Sequence, residues 1–342
     1  MFLLFTILML LVVLVNGWTD APSAIANCVS TRALPPARAI TLAALCNLVG
    51  AIGMALLNPS VALTLFGLVD FGEGGDGALT ALCAALCAVI LWAVAAWRFG
   101  LPTSESHALI SAMTGAALAR RVSTDVFCAE EWRAVLFGLV LTTLPAFLLG
   151  FLFYRGMLFA LRRCERRRTV GYFLRAQCVS AAGSALLHGA QDSQKFMGVF
   201  LLGMSLSGVG GAESVGNPLP ISVILVCAAV MTLGTMLGGT RIIKKVGLDM
   251  THPDAAAGSA ADAASTAVLA LCSLLGYPAG TTHAKACAVM GTGAGKRGGI
   301  NSHIALQMLA VWALTFPLCG ILGFVFSHLF SYVFSILTIG FS

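Results

Sequence analysis

The sequence predicts an all-α polytopic membrane protein: two inverted-topology repeats of about five transmembrane segments each, with broken helices and re-entrant-type hairpins. Three observations carry that expectation. Charge is scarce. Of 342 residues, 58% are hydrophobic and 10% charged, and mean hydropathy is +0.93, whereas soluble domains carry roughly 25% charged residues. The apolar runs are interrupted in their middles by short polar motifs containing glycine. Three motifs then recur in the same order half a chain apart. Gly-x-x-Asp ends at Asp20 and Asp192, Pro102 and His107 are matched by Pro278 and His283, and Thr143-Leu144-Pro145 by Thr315-Phe316-Pro317. The offsets are 172, 176 and 172 residues. Repeats of this kind are the sequence mark of transporter-like halves. They divide the chain into a first repeat at 1–160, a basic cytoplasmic linker at 161–170 and a second, inverted repeat at 171–342.

Each element follows from local pattern. Residues 2–15 are too short to cross a core of about 30 Å, which needs about 20 residues. They become long enough if 17–20 is an unwound middle and 21–30 a second half. No Lys or Arg precedes this run, so it is not read as a signal peptide. Residues 39–69 form a long apolar stretch with a kink expected at Asn58-Pro59, and 70–77 an acidic glycine loop. A span at 78–97 ends at Arg98. The turn at 100–107 opens a small-residue helix to Ala119, 120–131 is polar, and 135–154 is a span. The second half repeats the plan: a broken helix at 171–206, a glycine-rich loop at 208–218, a span at 219–239 and an alanine-rich helix at 253–275. The turn at 276–283 then opens a helix to Lys296-Arg297, and the last segment is 304–337.

An odd number of crossings per half orients the halves oppositely. With the basic segment 162–168 inside by the positive-inside rule, Arg32, Arg38, Arg98, Arg241, Lys244, Lys245, Lys296 and Arg297 also fall inside. Both termini then lie outside, in the plasma (inner) membrane. The pair Arg120-Arg121 falls on the opposite side from the other basic residues. The net charge of +6 sits in these connections, which points to topology and the lipid bilayer rather than to nucleic acid. The 11 cysteines contain no CxxC pair and read as small apolar packing residues.

The polar interruptions carry the chemistry. A carboxylate at membrane depth costs about 2.5–3.5 kcal/mol on insertion scales, so Asp20 and Asp192 need a purpose. Gly189 is expected to loosen the helix beside Asp192. The two Pro-to-His turns are rich in hydroxyls and small residues: Ser104, Glu105 and Ser106 in one, Gly280, Thr281 and Thr282 in the other. Helix N-termini offer N–H donors and positive potential, so two such turns facing each other suit an anion. Gln191 and Gln194 are further donors. The carboxylates suit a cation, with Thr19 and Asn16 beside Asp20. Lys195, three residues after Asp192, can instead form an ion pair on the same helix face. His107 and His283 read as packing donors.

The motif His188-Gly-Ala-Gln-Asp-Ser-Gln-Lys195 and its partner Asn16-Gly-Trp-Thr-Asp20, followed by Val29-Ser30-Thr31-Arg32-Ala33-Leu34, resemble the two signatures of the inorganic phosphate transporter (PiT) family. The Pro-to-His turns are similar to that family's hairpins. The resemblance spans nearly the whole chain. It implies an inverted-repeat fold, a central phosphate site between the hairpins and symport with sodium or protons. The chain departs from the pattern at four places. Thr19 and Gln191 stand where the family usually has Asn, Glu105 replaces a hydroxyl residue, and Gly280 replaces a serine.

The expected function is therefore secondary active import of inorganic phosphate by cation symport. No enzyme activity, cofactor or metal is expected beyond a coupling ion, a proton or sodium, at Asp20 and Asp192. Sulfate or another tetrahedral oxyanion is the nearest alternative substrate, and a homodimer is compatible with the chain. An intramembrane aspartyl protease, which also needs two membrane aspartates, is the alternative of a different class.

Overall fold

The computed structural model describes residues 1–121, 123–164, 166–209, 219–249, 254–296 and 299–340. Among them the secondary structure is helical, with one isolated antiparallel bridge between Val69 and Phe127. The first helix, α1 (Phe2–Thr19), stops at Asp20 and continues through a 3₁₀ turn (Ala21–Ile25) into α2 (Ala26–Ser30). The unwound middle expected at 17–20 therefore lies later, beyond Thr19, and Pro22 explains it, because it supplies no N–H and its ring clashes with the carbonyl one turn back. The kink expected at Asn58-Pro59 separates α3 (Pro36–Leu57) from α4 (Ser60–Gly67). Then follow α5 (Asp76–Arg98), α6 (Glu105–Arg120) and α7 (Ala129–Ala160).

In the second half, α8 (Arg166–Ser207) is one continuous helix of 42 residues. This corrects the expected break near Gly189. The position matching Pro22 is Gln194, which keeps its N–H and leaves the ladder intact. Gly189 instead permits close packing: a Cβ there would overlap the carbonyl oxygen of Asn47 on α3. Gly17 does the same for α1 against Met231 on α9 (Ile221–Leu237). Beyond α9 come α10 (Thr240–Lys244), α11 (Ala255–Leu275), α12 (Thr281–Ala294) and α13 (Ser302–Gly340). Most of the glycine-rich loop expected at 208–218, together with Arg297, lies outside the described residues.

By length and composition, six described helices can cross a membrane, or seven if α9 and the segment beyond it, bent by 67°, count as one span. That is fewer than about five per half, for two reasons. The helix α8 is long enough, but the polar run 188–195 lowers its hydropathy. The helices α6 and α12 have 16 and 14 residues, roughly 24 and 21 Å at 1.5 Å per residue, short of a core of about 30 Å.

The packing comes in matched pairs. Helix α6 packs on α13 and α12 on α7; α5 packs on α13 and α11 on α7; α1 packs on α9 and α8 on α3. Charged ends also find company. Arg120 donates to the carbonyl of Phe71 at 3.0 Å, and Arg121 pairs with Asp70 at 3.0 Å. The basic pair that fell on the wrong side is thus held by the acidic glycine loop. Arg241 donates to the Arg98 carbonyl at 2.9 Å, so those two basic ends share a face.

Candidate functional site

The break after α1, the middle of α8 and the starts of α6 and α12 meet in the interior. Asp20, Glu105 and Asp192 are each at most 4% exposed. The two aspartates are bridged by the turn that opens α12. The Thr281 hydroxyl lies 3.1 Å from Asp192 Oδ2 and 3.5 Å from Asp20 Oδ2, and the Thr282 hydroxyl donates to Asp20 Oδ1. On the opposite turn, Thr19 donates to Glu105 Oε1. Asn16 donates to Asp192 Oδ2 at 3.5 Å and also faces Glu105. Eight of the residues singled out from sequence therefore converge: Asn16, Thr19, Asp20, Glu105, Ser106, Asp192, Thr281 and Thr282.

Of the remaining four, Ser104, Gly280 and Gln191 support the turns, and Gln194 binds the kink between α3 and α4. Ser104 is the N-cap of α6 and accepts from the backbone N–H of His107 at 3.4 Å, as such residues do. Gly280 holds the same place before α12, where a Cβ would sit 2.8 Å from His283 Nδ1. Glycine is what the neighbouring imidazole leaves room for. Gln191 donates to Ser273 Oγ at 2.9 Å and accepts from the Ala279 N–H at 3.0 Å, which fixes the second turn. Gln194 donates to the Asn58 carbonyl at 2.9 Å. The His107 and His283 rings pack on each other, centroids 4.6 Å apart, and His283 lies on Trp312 at 3.9 Å.

The Lys195–Asp192 ion pair that the spacing allowed is present, and two further features were not foreseen. Lys195 is 1% exposed. Besides pairing with Asp192 at 2.6 Å, it donates to Ser106 Oγ at 2.7 Å and to the Ala279 carbonyl, so it touches both turns. His188 Nε2 lies 3.4 Å from Asp192 Oδ2, and ligand atoms of Asp20, His188 and Asp192 fall within 4.8 Å of one another. The second feature is a separate buried cluster. Lys285 pairs with Asp262 and donates to the Ala24 carbonyl at 2.9 Å, and Asn27 donates to Asp262 at 2.6 Å. A lone aspartate in the alanine-rich α11 and a lone lysine in the small-residue α12 were the available signal, because charge at that depth needs a partner.

A cavity of about 10 Å³ opens beside Asp20, lined by Thr19, Trp97, Pro102, Glu105 and Thr282 among others. That is room for one water or a small ion, and less than a tetrahedral oxyanion needs. Several buried acceptors nearby have no hydrogen-bond partner, including Asn16 Oδ1 and Glu105 Oε2. Unpaired buried acceptors are costly, and a small cation or a proton would satisfy them.

The model of the phosphate transporter family matches residues 16–323, from the first Gly-x-x-Asp motif to within α13. The chain belongs to the phosphate transporter family. Among relatives of this family, a protein of Bacillus subtilis named as a probable low-affinity inorganic phosphate transporter is 34% identical over 324 residues, covering 94% of each chain. A protein of the same description from Mycobacterium bovis is 35% identical over 314 residues, covering 90% of this chain and 72% of its own. A solved structure described as the sodium-dependent phosphate transporter shares the fold. Its TM-score is 0.82, with 97% of this chain and 99% of that one covered at 19% identity. Membership of this family and the apolar helices make the chain an integral membrane transport protein.

Proposed function

We propose that this chain imports inorganic phosphate by symport with a monovalent cation, sodium or a proton. The carrying observation is the convergence, at one buried point, of hydroxyls from both turns with the carboxylates of Asp20 and Asp192. Hydroxyls and helix N-termini suit the oxyanion, and the carboxylates suit the cation that offsets its charge. Ser106, Thr281 and Thr282 would turn their hydroxyls from their present partners to the anion, within turns shaped by Ser104, Gly280 and Gln191, with Gln194 a further donor on α8. Asp20, with Asn16, Thr19 and Glu105, would hold the coupling cation next to the small cavity. Sulfate or another oxyanion remains the alternative cargo, since hydroxyl donors alone do not select phosphate.

The matched helix pairs support two inverted halves, 1–160 and 171–342, joined by a basic cytoplasmic linker. They also support alternating access by rocking one bundle against the other. The short helices α6 and α12, each preceded by an extended turn, act as half-crossing hairpin elements. The location in the plasma membrane, with both termini outside, follows from the same plan. The proteolytic alternative is weaker, because the ammonium of Lys195 already neutralises Asp192, whereas a catalytic pair needs two carboxylates sharing a proton.

The test is radiolabelled phosphate uptake into proteoliposomes, with sodium and proton gradients imposed separately and sulfate in excess. Uptake driven by one gradient and indifferent to sulfate is expected. Intact reconstituted protein that moves no phosphate under either gradient overturns the reading.

A further inference from the structure

Asp20 and Asp192 hold the same place in the two Gly-x-x-Asp motifs, but they do not have the same company. Three residues after Asp192 stands Lys195; three residues after Asp20 stands Ser23. Among the hydrogen bonds of the described residues, Asp20 is held by the hydroxyls of Thr281 and Thr282 and by no ammonium. Asp192 receives Lys195 Nζ at 2.6 Å. The same ammonium reaches Ser106 Oγ at 2.7 Å and the Ala279 carbonyl oxygen. An ammonium has three donors, and here three partners take them: a carboxylate, a hydroxyl and a backbone carbonyl. All three are oxygens, the kind of ligand a hard cation such as sodium takes, and backbone carbonyls are among those that hold it in transporters with broken helices.

We infer that Lys195 is a resident cation, occupying at Asp192 the place that a mobile sodium ion would otherwise take. The mobile cation then binds on the Asp20 side alone. The protein carries one cation fewer per anion than a site with two unpaired aspartates would carry. This deepens the symport reading and rests on it. The charge balance agrees. Asp20, Asp192 and Glu105 are three buried carboxylates against one buried ammonium, and an incoming oxyanion adds further negative charge. A cation tethered to α8 offsets part of that charge at every stage of the cycle and cannot leave with the cargo. It also spans the turns of α6 and α12, so the two halves of the anion site share one positive centre.

The test is equilibrium binding of sodium-22 to the purified full chain without phosphate, alongside thermal melting in sodium and in choline. Lys195→Ala removes the ammonium and leaves the three oxygens around a small space. Lys195→Ser repeats the test with the residue that the first motif carries at this place. Both are expected to bind one more sodium ion per protein than the parent and to melt higher in sodium than in choline. Lys195→Met, which fills the space without charge, is expected to gain none. The gain should vanish in Lys195→Ala/Asp192→Asn. An unchanged sodium count in both small variants overturns the inference, as does failure of both to fold even in sodium. Uptake reports separately. If the parent protein moves no phosphate under either gradient, the transport reading falls, while the sodium count still decides the role of Lys195.

Discussion

The Thr281 hydroxyl lies 3.1 Å from Asp192 Oδ2, across 89 residues of sequence and between α12 and α8. Its neighbour Thr282 donates to Asp20, so one short turn holds both aspartates. In this arrangement the hydroxyls that would suit an oxyanion face carboxylates. On the proposed reading, binding the oxyanion would require them to change partners, which would couple the state of Asp20 and Asp192 to the affinity of the turns.

Replacement of Asp192 by Asn should abolish uptake and lower the melting temperature, because the buried Lys195 loses its carboxylate, while the amide keeps the protein folded. The carboxylate is isosteric with the amide, but Lys195 and Thr281 lose their common charged partner. Uptake in proteoliposomes together with the elution profile in detergent checks this. Uptake at the parental rate would remove Asp192 from the site.

Glu105 should shape the pH dependence. Its side chain sits beside Thr19 and Asn16, where a second negative charge opposes the anion. If it titrates during the cycle, uptake rises as pH falls through its titration, because the protonated form carries one negative charge less. Glu105→Gln should flatten that limb in a pH series of initial rates. An unchanged profile would take Glu105 out of the coupling.

The close helix contacts should tolerate no methyl group. Gly17→Ala and Gly189→Ala place a Cβ on the carbonyl oxygens of Met231 and Asn47, so each is expected to cost about 1–3 kcal/mol. Gly53, on the same helix as Asn47, has nothing within 4 Å of its would-be Cβ. Its replacement by Ala should stabilise by up to about 1 kcal/mol through helix propensity. Melting temperatures of the three variants in one detergent provide the comparison.

The Lys285–Asp262 pair should behave as a buried ion pair. Lys285→Met leaves Asp262 and Asn27 without compensation and is expected to destabilise by about 3–5 kcal/mol. Lys285→Met combined with Asp262→Leu should lose less than Lys285→Met alone, because no orphan charge remains. A double variant that melts lower than the single one would show that the pair is not a unit.

Much of this architecture was legible in the chain itself. Apolar runs marked the helices α3, α5, α7 and α9. Pro102 and Pro278 marked the turns before α6 and α12, and Asn58-Pro59 marked the kink. A break in the first span was expected at 17–20, but residues 17–19 stay helical and the break falls at Ala21–Ile25, because the local breaker is Pro22 and not Gly17. The break expected near Gly189 was misread because the glycine invited it, while the decisive residue, Gln194 in the place of Pro22, permits a continuous helix. Gln191 and Gln194 read as free donors, and their spatial partners, Ser273 and Asn58, could not be seen in the pattern.

Membrane class, the order of the elements and the polar residues that interrupt them depend on composition and short-range chemistry, and the chain alone carries them. The Lys195–Asp192 pair was open to reading from its spacing, but the remaining partners come from packing: Lys195 also reaches Ser106 and Ala279, Lys285 answers Asp262, and Arg120 and Arg121 serve the acidic loop. The cost of a buried charge is set by the groups within a few ångströms of it, and here most of those groups come from segments far apart in the chain.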